Sequence, residues 1–438
     1  MLPLFLIVFF SLFVFYCMTV MLKRGHDLHA LAFLTLYLYS IFAQIGYAYF
    51  PELSQLYDVY YGPSLFYAYW FFMFFSFVLT FLLYLKLNPI GYKKHSYIVK
   101  STRRNYGEYL FFSIAILLYL ALNLYFRQYR ELFGYGGGTP MGGPWFGIGF
   151  WMYTLCNLIL YTLFRDTKIK LKKRIFSLLL FIIYTLFFLQ VTIASGVRSS
   201  ILYFFISIFF YEFFPMVKTI KYNKRKILVF ILGSFLLLDM LSSLRNLRIQ
   251  GEDLDFSSLA NEDQAESMFE YDEISTAILL QDYYLPSHTL FASIEYKIIV
   301  PLDVIKSNLA NSLVGLDYPF LTITVVERAT GITDERGGGW AYHYFVEGFN
   351  AMGFLGVFYN AVFWNLGMLL WLRLGQSNNS MHNKVILSFS ALVIMMVMRS
   401  QTSAFIQFYW LILLSGSVLL LLANNSTIAF INRKKSLN

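Results

Sequence analysis

The chain has 438 residues, 58% of them hydrophobic and only 13% charged, with a formal net charge of +9. That apolar excess, with a mean hydropathy of +0.58, excludes a soluble domain, which has to keep a wettable surface. The basic balance belongs to short loops beside anionic lipid, and no nucleic-acid partner is expected.

Repeated runs of roughly 20 nearly uncharged residues are each long enough to cross about 30 Å of hydrocarbon. Eleven spans are predicted, at 1–22, 28–49, 63–85, 108–124, 145–164, 175–194, 200–217, 227–243, 346–371, 385–398 and 404–423. Helices are expected, because each span has to satisfy its backbone internally and none shows the ten-residue alternation of an outer-membrane barrel. The first span lacks a basic leading region and a small-residue cleavage site, so it reads as a helix rather than a signal peptide. The fold class is therefore an all-α polytopic membrane protein. It divides into spans one to eight (1–243), one large extracytoplasmic loop (244–345), and spans nine to eleven with a cytoplasmic tail (346–438).

Orientation follows from the loops. The segments 23–27, 86–104, 165–174, 218–226, 373–384 and 433–435 alternate with the others and hold 24 of the 34 Lys and Arg residues. By the positive-inside rule they are cytoplasmic, which puts the N-terminus outside and the C-terminus inside. The opposite face carries about 21 of the 25 acidic residues and ten basic ones, of which eight are arginine. These are Arg127, Arg130, Arg198, Arg245, Arg248, Arg328, Arg336 and Arg399. Arginine presents a rigid fork of donors suited to phosphate or carboxylate. Each of them either pairs with an acid of the same face or anchors an anionic ligand. The short turns holding Arg198 and Arg399 contain no acid, which favours the ligand for these two.

In the loop, residues 250–273 are acidic and poor in apolar side chains, as expected of a solvent-facing strip. The stretches 283–288, 291–301 and 316–326 are apolar and aromatic, and short amphipathic or re-entrant helices are predicted there, forming a lid on the outer membrane face.

The densest polar stretch runs from Gly331 to Asn350. Gly337, Gly338 and Gly339 give a backbone able to bend sharply and approach a ligand. A helix is predicted after them, which would put His343 and Glu347 on one face and Asn350 further along it, while Gly348, Gly353 and Gly356 would admit a close neighbouring helix. A carboxylate just inside a membrane is either a general base or the acidic half of a structural ion pair with an outer arginine. Asp239 and Glu212, near span ends, raise the same question. Tyr283, Tyr284, Trp340, Tyr342 and Tyr344 suit stacking on sugar rings, and aromatic residues also belong at any membrane interface.

Cys17 and Cys156 both lie in spans, so no thiol framework is expected. The six histidines lack metal-ligand spacing, and there is neither a phosphate-binding loop of the Walker type nor a dinucleotide fingerprint, so no metal or other cofactor is expected.

The layout of about eleven spans with one large late outer loop resembles the Wzy-type oligosaccharide repeat-unit polymerases of bacterial envelopes. Two stretches carry the resemblance locally. One is the turn Ser195-Gly-Val-Arg198-Ser-Ser, and the other is Gly337-Gly-Gly followed by Glu347-Gly-Phe-Asn350-Ala-Met-Gly353-Phe-Leu-Gly356. The resemblance implies a glycosyltransferase of the GT-C-like class in the bacterial inner membrane, independent of nucleotide and metal. It would join repeat units carried on undecaprenyl diphosphate into O-antigen or a related polysaccharide. Glu347 or His343 would act as base with Arg198 beside them. Arg198, Arg336 and Arg399 would hold the departing diphosphate, with Arg328, Arg127 and Arg130 in support. Trp340, Tyr344, Tyr283 and Asn350 would bind glycan. A chain-length regulator and a flippase of the same pathway are the implied partners, besides membrane lipid. Two alternatives stay open: an O-antigen-ligase-like transferase, which differs in its acceptor, and a lipid-linked oligosaccharide flippase or transporter. A flippase needs charges through both halves of the bundle, whereas here the charges inside spans cluster at the outer ends. The inverted repeats of a general transporter are not evident.

Overall fold

The computed structural model describes residues 2–49, 63–87, 97–101, 106–128, 143–166, 169–195, 205, 207–212, 287–314, 321–330, 342–374, 380–398, 400–407, 414–424 and 426–430. Six long helices open the chain: α1 (Leu2–Lys23), α2 (Asp27–Tyr49), α3 (Pro63–Leu87), α4 (Tyr106–Gln128), α5 (Gly143–Arg165) and α6 (Leu171–Ser195). Their bounds follow the first six predicted spans, because uninterrupted apolar runs flanked by basic or glycine-containing turns leave little freedom in where a helix starts. The predicted spans 200–217 and 227–243 fall largely or wholly outside the described residues.

The later part is built from shorter pieces. Helix α7 (287–295) is followed by α8 (Leu302–Val314), α9 (Leu321–Thr330), α10 (Val346–Met352) and α11 (Gly356–Leu374). After these come α12 (Ser380–Val397), α13 (Thr402–Gln407) and α14 (Ser415–Ala423). Among the described residues six helical segments are long and apolar enough to cross a membrane, and the protein is a multi-pass, almost wholly helical membrane protein.

Three findings depart from the expected architecture. First, the chain is not purely helical: β1 (Tyr97–Ser101) pairs antiparallel with β2 (Ser426–Phe430). The strands come from the 86–104 loop and from the stretch that follows the last predicted span. Second, the span predicted at 346–371 is two helices joined by a tight turn over Gly353–Leu355. Gly353 takes φ 60°, a left-handed conformation that costs glycine nothing, and α10 folds back on α11. Third, α7 is not an amphipathic helix on the surface. Ser287, His288, Thr289, Leu290, Phe291, Ala292 and Ser293 are all fully buried.

Helix α11 packs mainly on α3, with α1 and α2 alongside, while α4, α5, α6 and α14 form a second group. Helix α12 touches both α2 and α5 and so bridges the two. Aromatic rings fill the first group: Phe33 and Phe77 meet edge to face at 5.1 Å, and Phe77 meets Phe345 at 5.4 Å. Helix α7 is locked against α3 by the stacked pair Tyr69 and Phe291, 4.0 Å apart and 3° from parallel. The Tyr69 hydroxyl donates to Ser287 Oγ at 2.8 Å, and Ser287 Oγ donates to the Tyr39 carbonyl at 2.5 Å. Burying a polar helix is tolerable only when its hydroxyls find such partners.

Candidate functional site

The site is assembled at the α10–α11 hairpin. Gly348 and Gly356 lie backbone against backbone, and a Cβ on either would collide with the other's carbonyl. These glycines do admit a close neighbour, as their spacing led one to expect, but the neighbour is the other arm of the same hairpin. The contact is fixed by Asn360. Its Oδ1 accepts the Gly348 N–H at 3.1 Å, and its Nδ2 donates to the Phe345 carbonyl at 2.9 Å. Glu347 lies between those two anchored residues.

The Glu347 carboxylate is 1% exposed. Oε1 accepts the Tyr359 hydroxyl at 2.8 Å, and Oε2 accepts the backbone N–H of Thr402, the first residue of α13. The phenols of Tyr342 and Tyr344 lie within electrostatic reach. Among the described residues no cation pairs with Glu347. Ion pairs there include Arg165 with Glu212, Lys173 with Glu108, and Lys306 with Asp303. Among the described residues the partners of Glu347 are thus neutral donors, and Arg198, Arg336 and Arg399 lie outside those residues. Glu212, the other suspect acid, does sit in an ion pair, with Arg165 at 3.2 Å.

His343 is also fully buried, but the structure does not set it on a shared helical face with Glu347. The helix begins only at Val346, so His343 precedes it in irregular backbone. Its Nδ1 accepts the Phe345 N–H at 3.2 Å, which places the ring proton on Nε2, 3.3 Å from Ser40 Oγ. Its own N–H donates to Thr289 Oγ1 at 3.4 Å. Burial pushes its imidazole down to about 3, so it is neutral near pH 7. His343 thereby joins α2 and α7 to the start of α10, and no hydrogen bond links it to Glu347.

Asn350 is buried too: Nδ2 donates to the Tyr342 hydroxyl at 3.0 Å, the backbone carbonyl accepts the Val300 N–H at 2.7 Å, and Oδ1 has no partner among the described residues. Arg328 is exposed on α9 and donates to the Ile299 carbonyl at 3.0 Å, one residue from that contact with Asn350. The outer loop is therefore tied to the hairpin through Ile299 and Val300. A second tie runs from the Leu321 N–H to Gln401 Oε1 at 2.9 Å, next to Thr402. Tyr344, expected to stack on sugar, is 1% exposed and offers no open ring face, because the turn into α10 packs it inward. Arg127 is exposed at the end of α4. Arg198, Arg336, Arg399, Arg130, Trp340 and Tyr283 lie outside the described residues.

Tyr359, Asn360, Gln401 and Thr402 were not singled out in the sequence. The tripled glycine spacing was the one available signal, since a hairpin at Gly353 brings residues 359 and 360 back beside 347. Comparison with protein-family models, with curated proteins and with solved structures finds no match for this chain.

Proposed function

We propose that this membrane protein is a glycosyltransferase that polymerises oligosaccharide repeat units carried on undecaprenyl diphosphate. The reaction would take place at the outer face of a bacterial cytoplasmic membrane, with the N-terminus outside and the C-terminus inside. The observation that carries the reading is Glu347, a carboxylate withdrawn from water and held by a phenol and a backbone amide, with no cation paired to it among the described residues. A structural ion pair would not need that arrangement; a general base does, since each carboxylate oxygen keeps a lone pair for an incoming proton.

In this reading an acceptor sugar hydroxyl gives its proton to Glu347 and its oxygen bonds to the anomeric carbon of the donor. The bond from that carbon to the diphosphate breaks, and undecaprenyl diphosphate leaves with the electron pair. Diphosphate departs without an acid when positive charge meets it, which is the role assigned to Arg198, Arg336 and Arg399, with Arg328 on the loop in support. Because Glu347 is 1% exposed, the acceptor reaches it only once the loop elements tied to Ile299, Val300 and Gln401 shift, so lid movement and chemistry are linked. The GT-C-like class and the chain-length and flippase partners belong to the same proposal.

The test is a reconstituted assay with purified protein and undecaprenyl-diphosphate-linked repeat units, free of nucleotide and metal, resolved on a gel. A ladder that vanishes in Arg198→Ala and in Glu347→Gln, with both variants folded, is the expected result. No ladder from folded wild-type protein given the correct repeat unit overturns the proposal.

A further inference from the structure

Helix α8 (Leu302–Val314) has thirteen residues, too few to cross a bilayer at 1.5 Å per residue. Its side chains are sorted in a way that water alone does not explain. Ile305, Asn308 and Ser312 are buried at 2%, 2% and 0% exposure, so two of the three residues turned toward the protein are polar. Leu302 and Leu313 are 47% and 51% exposed. At about 100° per residue, Leu302, Leu309 and Leu313 fall on one flank of the helix, while Asp303, Ser307 and Asn311 fall on the other. Lys306 projects at the border of the leucine flank and forms a solvent-side ion pair with Asp303 at 3.5 Å.

The helix therefore has three environments around its axis: protein behind it, an apolar flank, and a polar flank. A helix lying on a protein surface in water needs only two. The apolar flank adjoins a segment long and apolar enough to cross a membrane. Tyr296 and Ile299, just before α8, are 45% and 53% exposed. The adjoining Val300 is hydrogen-bonded to Asn350 of the α10–α11 segment, a membrane-crossing candidate. The exposed face there consists of Met352, Phe354, Leu355 and Phe358, at 41% to 66%. Glu295, Lys297 and Arg328 are exposed there as well, Arg328 donating to the Ile299 carbonyl, and charged side chains beside apolar ones belong at headgroup level.

We infer that α8 lies in the membrane–water interface, with Leu302 and Leu313 among the lipid acyl chains and Asp303 and Ser307 in water. Lys306 keeps its stem on the apolar flank and its ammonium at headgroup level. The lid is then seated in lipid rather than suspended above it. Since α8 packs on α13, whose first amide holds Glu347, the lipid surface and the carboxylate are two contacts apart. The inference needs no particular reaction at Glu347.

Spin labels provide the test. In protein whose buried Cys17 and Cys156 are replaced by alanine, single cysteines go in at exposed positions as Leu302→Cys, Leu313→Cys, Asp303→Cys and Ser307→Cys. Each labelled protein is reconstituted into phosphatidylcholine and phosphatidylglycerol vesicles, and collision rates with oxygen and with a water-soluble nickel chelate are compared. The oxygen-to-nickel ratio is expected to be several-fold higher at 302 and 313 than at 303 and 307. Equal ratios at the four positions, or the reverse order, overturn the inference. All four side chains are exposed, so loss of folding does not confound the comparison.

Discussion

The Glu347 carboxylate and the Thr402 backbone N–H, 55 residues apart in the chain, are hydrogen-bonded to each other inside the protein. The bond joins the first turn of α10 to the first residue of α13, and Tyr359 closes the carboxylate from the other side. A charge so placed is stabilised by aimed dipoles rather than by a counter-ion, and it is sensitive to losing either donor. Glu347→Gln keeps the shape but turns an NH2 group toward the hydroxyl or the amide that now donates. We expect a lower unfolding midpoint, corresponding to about 1–3 kcal/mol, and loss of polymer with folding retained. Unchanged polymer from Glu347→Gln would end the general-base assignment.

Tyr359→Phe removes one donor and leaves the Thr402 amide in place. The expected loss is again about 1–3 kcal/mol for a hydrogen bond to a charged group. Turnover should fall while donor binding is kept, because the carboxylate is displaced rather than deleted. Equal loss of binding and turnover in a steady-state comparison would assign Tyr359 a role in general folding instead.

The hairpin glycines separate two kinds of strain. Gly356→Ala drives a methyl into the Gly348 backbone, where no flexible side chain can yield. The cost should reach or pass the upper end of the overpacking range, about 3 kcal/mol. Gly353→Ala meets nothing within 4 Å and incurs only the backbone cost of φ 60° with ψ −140°, about 1–3 kcal/mol. Thermal midpoints in detergent should therefore rank wild type, then Gly353→Ala, then Gly356→Ala. A reversal of the two variants would mean that the hairpin does not form.

Much of the membrane architecture was legible because apolar runs and basic turns obey one-dimensional rules: α1 to α6 lie where continuous hydropathy predicts them. The site was legible only in part. Glu347 stood out as an acid at the edge of a span, but its partners Tyr359 and Thr402 did not. Residues 346–371 read as one unbroken apolar stretch, and nothing local reveals that Gly353 reverses it. The same blindness hid α7, whose Ser287, Thr289 and Ser293 suggest a surface until Tyr39, Tyr69 and His343 are brought around it. His343 was read as the neighbour of Glu347 from a four-residue spacing that assumed a helix already begun.

Asn360 is expected to be the asparagine on α11 whose loss matters most. Asn360→Leu strands the Gly348 N–H in an apolar surrounding, and a buried unpaired donor costs about 1–3 kcal/mol. Asn365→Leu removes donations to the Thr80 and Ala361 carbonyls at 3.1 and 2.8 Å, but both carbonyls sit inside helices where a backbone N–H can also serve them. Unfolding midpoints should fall further for Asn360→Leu. A larger drop in Asn365→Leu would show that the clamp on Gly348 is dispensable.

The buried histidines of the loop region give a pH signature. Burial pushes the imidazoles of His343 and His288 from 6.5 down to about 3. Between those values the unfolded chain binds protons on both rings and the native protein does not. Stability therefore rises with pH in that window and is lost as pH falls below about 6.5, by up to about 1.4 kcal/mol per pH unit for each histidine. In His343→Asn the side-chain oxygen can still accept the Phe345 N–H, and the titrating group is gone. Unfolding midpoints measured between pH 7.5 and 5 should decline less steeply in His343→Asn and in His288→Asn than in wild type, and least steeply in the double variant. Slopes indistinguishable from wild type would show that these imidazoles are hydrated in the native state, and His343 would then regain access to protons and a claim to the base role that its present hydrogen bonds deny it.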